Sequence, residues 1–361
     1  MSDKALVAMS GGVDSSVAAF LTKARGLECV GVTMKLLANQ ETDDDQPDKT
    51  CCSLADVEDA RSVAFRLGIP YYVFNFTADF KAQVIDRFVS AYERGDTPNP
   101  CIDCNRHLKF DRLAHRAKEL GCRYVVTGHY ARIEAKGGRY LLKKGLDTPK
   151  DQSYFLYTLT QEQLAHTLFP LGELRKEEVR ALAREQGFFN AKKPDSQDIC
   201  FVPQGDYGAF MEAYTGKRYP AGDFVDLSGQ VVGAHRGHIR YTMGQRKGLH
   251  LALGRPVYVC GKDLEHNTVT VGPNEALFAR ELYAGDMNWI AVDAPSAPLR
   301  VGAKIRSTQA EQPATVYPEA DGSARVVFDV PQRAIAVGQA VVLYDGDRVV
   351  GGGEIGHVSR E

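Results

Sequence analysis

The sequence predicts an α/β protein: a doubly wound parallel sheet, then a small β-rich central domain and a C-terminal β-barrel. Three observations lead there. Short apolar runs alternate with helical stretches as far as Thr127, and glycines stand where those helices should stop. Beyond about Tyr219 the chain breaks into short alternating strands separated by turn residues.

The strand-like runs are Ala5–Met9, Cys29–Met34, Tyr71–Phe74 and Tyr124–Thr127. Helical stretches lie near Asp14–Arg25, Leu54–Leu67, Phe80–Arg94 and Arg106–Leu120, followed by Gly26, Gly68, Gly95 and Gly121 as helix-terminating residues. The acidic run Glu41–Asp45 reads as a surface loop or a lid over a ligand. Ala131 to Lys144 reads as a hairpin turning at Gly137-Gly138. Thr160-Gln161-Glu162-Gln163 makes a capping box, and a further helix runs from Lys176 to Gln186 before Gly187. Later turn signals at Asp263, Asn267, Asp321-Gly322 and Asp345-Gly346 mark the β region, with a break near Ala279–Leu282. The domains expected are 1–205, 206–278 and 279–361.

The 361 residues suit two or three domains, and 44% hydrophobic with 25% charged is ordinary for a globular chain. No apolar run approaches the roughly 18 residues of a membrane span. Met1-Ser2-Asp3-Lys4 leads directly into a strand, so no secretory signal is expected and a cytoplasmic setting is. The net charge of −2 does not itself favour nucleic acid. An RNA surface would need local basic patches, for which Arg106 to Lys118, Lys136 to Lys144 and His235 to Lys247 are candidates.

Chemistry is concentrated in three stretches. Ser10-Gly11-Gly12-Val13-Asp14-Ser15-Ser16 joins a strand to a helix, where glycines admit a close anion and helix N–H groups point at it. Neither the Walker A spacing nor Gly-x-Gly-x-x-Gly is present. The loop, Met34 and Gly128 all fall at carboxyl ends of strands, where open α/β sheets bind ligands. The other two stretches are Asn99-Pro100-Cys101-Ile102-Asp103-Cys104-Asn105 and Lys193-Pro194-Asp195-Ser196-Gln197-Asp198-Ile199-Cys200-Phe201. In a reducing compartment such cysteines read as thiols, ligands or catalysts rather than a disulfide framework. Cys104, at an expected helix start and followed by Arg106, His107 and Lys109, has surroundings that favour thiolate. Cys29, Cys122 and Cys260 lie in apolar runs and read as buried filler; Cys51 and Cys52 fit either role.

The Ser10–Ser16 loop resembles the phosphate loop of the ATP-pyrophosphatase (PP-loop) superfamily. Further motifs follow in order: Asn99-Pro100 with Cys104, Thr127-Gly128-His129-Tyr130-Ala131-Arg132, Lys150-Asp151-Gln152-Ser153-Tyr154-Phe155, Asp195 to Cys200, and Tyr241 to Gly248. Together, over nearly the whole chain, they resemble the bacterial tRNA-specific 2-thiouridylase family (MnmA/TrmU).

That resemblance implies 2-thiolation of the wobble uridine in tRNAs for lysine, glutamate and glutamine, with tRNA and an upstream persulfide donor protein as partners and neither membrane nor DNA. Cys104 and Cys200 would be catalytic, closing a disulfide or freeing hydrosulfide. Ala8, Met9, Ser10, Gly11, Gly12, Val13, Asp14, Ser15, Met34 and Gly128 would hold ATP, with Asp14 placing Mg2+ or pyrophosphate. Asn99, Pro100 and Cys101 would meet the target base. His129, Lys150, Asp151, Gln152, Arg306, Ser307 and Gln339 would contact tRNA. Because Cys101 creates a Cys-x-x-Cys with Cys104, an iron–sulfur cluster on Cys101, Cys104 and Cys200 is an alternative route. A synthetase adenylating a small molecule, and a non-catalytic RNA-binding or cluster-carrying protein, are the competing readings.

Overall fold

The structure, a computed structural model, describes residues 3–37, 54–194, 199–202 and 205–360. Among these, three sheets form. In the first, strands Lys4–Ala8 (β1), Glu28–Lys35 (β2), Tyr71–Asn75 (β3), Tyr124–Val126 (β4) and the short strand Thr167–Leu168 pair in parallel, in the order β3-β2-β1-β4 and then Thr167–Leu168. β1 is central and its side chains alternate between two cores. Ala5, Val7 and Met9 pack with the helices Val13–Ala24 (α1) and Leu54–Leu67 (α2). Leu6 faces the opposite cluster of Phe80, Phe88, Leu108 and Leu113. Burial on both faces is why this strand is an unbroken apolar run.

The helix expected at Phe80–Arg94 begins at Thr77, passes through π geometry over Lys81–Ile85 and ends at Glu93. The one expected from Arg106 begins earlier, at Pro100, because Asn99 takes the N-cap position and proline's fixed φ suits the first helical residue. It widens to π geometry over Cys104–Arg112 and continues as Leu113–Glu119. Cys104 therefore lies inside a continuous helical run, one turn past the start where the sequence placed it.

Gly137 and Gly138 both adopt positive φ, 62° and 77°, the signature of a tight type I′ turn between Ala131–Lys136 and Arg139–Lys144. This hairpin does not extend the first sheet. It pairs through Lys143 and Arg348 with the C-terminal strands, and Arg132 and Lys143 reach Asp347 at 2.9 and 3.1 Å. Those strands, Phe278–Trp289, Ala324–Arg333, Gln312–Pro318, Leu299–Lys304, Ala340–Asp345 and Arg348–Ser359, form a barrel closed by pairing of the first with the last. Between the two lies a sheet of Tyr258–Asp263, Thr268–Gly272, Gly222–Val225 and Val231–His235 around Phe224, Val259 and Val269. No described helix is long and apolar enough to cross a membrane.

Candidate active site

The phosphate loop is over-determined. Gly11 has φ of 76°, and a Cβ there would stand 2.4 Å from the Asp56 carbonyl oxygen. Gly12 is the N-cap of α1 and supplies no side-chain acceptor, so the first-turn N–H groups keep their capacity for an anion. Ser15 Oγ accepts from Ser10 N–H at 3.1 Å and donates to Gly12 O at 3.0 Å, closing the turn from inside. Asn190, 3% exposed, donates from Nδ2 to Gly11 O and Ser16 Oγ, both at 2.9 Å.

The expected neighbours gather around this loop. Met9 N–H donates to Val32 O at 2.8 Å and Thr33 Oγ1 to Met9 O at 2.6 Å, which fixes the β2 end carrying Met34 beside the loop. Gly128, just past β4, is so close that a Cβ there would lie 2.9 Å from Ser15 N. Loop and glycine meet where the strand order reverses between β1 and β4, the usual ligand crevice of such sheets.

The second half of the site uses different forces. Cys104 and Cys200, far apart in sequence, are both partly buried against one apolar cluster that includes Phe80, Phe88 and Phe201. Phe201, next to Cys200, is 5% exposed and meets Phe80 and Phe88 edge-on with centroids 5.7 and 5.2 Å apart. Cys101 is exposed. Among the described residues no group of three His, Cys, Asp or Glu side chains converges to hold a metal ion. Cys101, Cys104 and Cys200 are all described and are not such a group in this arrangement. Asp195 to Asp198, Cys51, Cys52 and the Glu41–Asp45 run lie outside the described residues. Cys29, Cys122 and Cys260 are buried as the sequence suggests, and burial pushes the Cys29 thiol up to about 11.

The residues expected to contact tRNA divide. Gln339 donates to Thr97 O at 2.9 Å, and Val337 O accepts from Thr97 N–H at 2.8 Å, docking the barrel onto the segment that leads to Asn99. Asn99 opens on a cavity of about 290 Å³ also lined by Arg87, Arg94, Asp103, Tyr157 and Glu354. Burial raises the Asp103 carboxyl to about 6, against the opposing pull of Arg87 at 3.3 Å. Arg306, half-buried beside Ser307, donates to Ala334 O at 2.7 Å. Asp151 organises its own turn through Gly145 N–H and Ser153. Gln152 meets both main-chain groups of Tyr130: its side-chain Oε1 accepts from Tyr130 N–H at 3.0 Å and its main-chain N–H donates to Tyr130 O at 2.9 Å.

His129, expected to contact tRNA, lies in the interior. It is buried between Phe110 and Phe169, bonded through Nδ1 to Thr127 Oγ1 at 2.6 Å, and burial holds its pKa well below the usual histidine range. Many basic side chains of the three patches are also ion-paired within the protein, such as Arg106 with Asp286, Lys118 with Glu162, Lys144 with Glu311 and Arg240 with Glu212.

Sequence reasoning missed Asn190, Tyr130, Lys176 and Asp103 as site residues. Asp103, one residue before Cys104, and Tyr130, next to His129, stood in stretches already singled out; Asn190 and Lys176 did not.

Residues 3–204 match the profile of the tRNA methyl transferase HUP domain, 208–273 that of the tRNA methyl transferase PRC-barrel domain, and 279–355 that of the aminomethyltransferase beta-barrel domain. The tRNA-specific 2-thiouridylase MnmA of Clostridioides difficile is 51% identical over 98% of both chains. The chain belongs to this family. The MnmA of Acetivibrio thermocellus is 52% identical over 98% of this chain and 99% of its own, and that of Symbiobacterium thermophilum 53% over 98% and 92%. The loop and the cysteines of this thiouridylase family member thus lie in a chain that covers 92–99% of those relatives.

Proposed function

We propose that the protein is an ATP-dependent tRNA-uridine 2-sulfurtransferase acting on the wobble uridine of tRNAs for lysine, glutamate and glutamine. The observation that carries this reading is near-50% identity to 2-thiouridylases over 98% of the chain, joined to a phosphate loop and a separate two-cysteine region. The uridine C2 oxygen is a poor leaving group. Attack of that oxygen on the α-phosphorus of ATP expels pyrophosphate and leaves an adenylated carbon that AMP can depart from. The terminal sulfur of a persulfide on Cys200 attacks C2, and AMP leaves with the oxygen. The Cys104 thiolate then attacks the Cys200 sulfur, and the electron pair of the broken S–S bond stays on the uridine as the thiocarbonyl. In the other order, Cys104 first frees hydrosulfide, which attacks C2. Either way a Cys104–Cys200 disulfide results, and a two-electron reductant resets it.

α1 and Gly11–Gly12 grip the phosphates, Met34 and Gly128 border the nucleotide, and the cavity at Asn99 receives the base. Magnesium is read as arriving on the ATP phosphates rather than in a preformed cage, since both Asp14 oxygens already bind Lys176. The sulfur donor is a persulfide-carrying protein, and the setting inferred is cytoplasmic. Incubating the protein with ATP, a persulfide donor and unmodified tRNA should yield 2-thiouridine and AMP together. AMP formed without tRNA would favour a small-molecule synthetase instead.

A further inference from the structure

A carboxylate in the first turn of a phosphate-binding helix is a physical problem, because Asp14 repels the anion that α1 attracts. The structure answers it with a residue far along the chain. Lys176 Nζ lies 2.7 Å from each Asp14 oxygen, and Tyr130 Oη donates to Oδ1 at 2.8 Å. The ammonium also stands 5.7 Å from the centroid of the Tyr130 ring. The Lys176 side chain is 10% exposed, and a lysine that far from water needs a partner.

Lys176 is also the first residue of the helix Lys176–Glu185. A cation at that end is opposed by its own helix dipole, so the position is explained by Asp14 rather than by local helix stability. Both partners of Asp14 are held by one turn. The main-chain N–H of Lys176 donates to Asp147 Oδ2 at 2.8 Å, while Gln152 holds Tyr130 on both sides of its main chain.

We propose that Lys176 is the counter-charge of the nucleotide site: a positioning residue that cancels Asp14 so that the loop presents a net positive field to ATP. This rests on the ATP-dependent reading above. Replacing Lys176 with methionine uncovers the Asp14 charge beside the phosphates, and the Km for ATP should rise on the order of tenfold or more. kcat should change less, and tRNA affinity should stay as in the wild type. Lys176→Arg should remain near wild-type affinity. Adding Asp14→Asn to Lys176→Met should restore most of the lost ATP affinity, since no charge is then left to cancel.

Equilibrium ATP binding and steady-state kinetics on the full-length protein read these outcomes. An unchanged Km in Lys176→Met overturns the proposal, and so does failure of the double variant to recover, which would mean direct phosphate contact or a purely structural role. If Lys176→Met does not fold, the double variant decides alone: folded and tight-binding supports the proposal, folded and weak-binding or unfolded overturns it. A wild-type protein that binds no ATP overturns the functional reading itself and this inference with it, and is seen before any variant is compared.

Discussion

The phosphate loop and the cysteine region are built on opposite physical terms. The loop is fixed by close and directional contacts: Gly11 within it and Gly128 beside it, neither with room for a Cβ, a serine turn bonded to itself, and Asn190 clamping Gly11 and Ser16. The cysteines lean on an apolar and aromatic cluster centred on Phe80, Phe88 and Phe201, whose attraction is large in sum but weakly directional. An anion must be met by donors already in place. On the proposed function Cys200 receives a sulfur atom at one position and delivers it at another, and apolar packing tolerates that displacement.

Breaking the loop should have the largest effect. A Cβ at Gly128 would meet the Asp14–Ser15 main chain at 2.9 Å with no flexible side chain to yield. Gly128→Ala should therefore lower ATP-dependent AMP formation by about a hundredfold or more, since a small misplacement of the loop costs that much. Circular dichroism should show a folded protein.

Loosening the cysteine region should act differently. Phe201→Ala deletes a buried ring, which typically costs about 3–5 kcal/mol of stability. Denaturant unfolding should show that loss. In the folded fraction, 2-thiouridine should fall more than AMP formation; equal loss of both would mean the two halves are not mechanically separate.

A smaller effect sharpens the boundary between them. Asp103 lines the cavity with Arg87 and Glu354 and has Arg106 close by. Its carboxyl is raised to about 6 in the fold, so its contribution to stability is fully present below about pH 4 and lost as the pH rises through 6. Glu354 is raised too, chiefly by burial, and adds a fall of the same sign. Asp103→Asn should flatten that pH dependence and gain at most about 3 kcal/mol at pH 7, as read by unfolding at a series of pH values.

The sequence displayed the loop fully because its chemistry is local: strand, glycines and helix start are contiguous. The Thr160–Gln163 capping box was legible for the same reason, and both reciprocal bonds are present. What escaped depends on contacts between distant segments. Lys176 looks like an ordinary helix-surface lysine until the fold carries it to Asp14. The hairpin at Gly137-Gly138 was plain, but its pairing with the barrel was not, since register across 200 residues leaves no periodic trace. The early helix start at Pro100 was readable from Asn99 and the proline. There the loop-like composition outweighed the proline signal, and Asn99 takes the N-cap position without a side-chain cap bond.

The proposed function separates activation by the loop from sulfur delivery by the cysteines. Its most direct test is Cys200→Ser supplied with ATP and unmodified tRNA, with AMP and 2-thiouridine measured in the same reaction. No 2-thiouridine should form while tRNA-dependent AMP stays measurable; loss of both products in a folded protein would mean that activation and delivery are not separate.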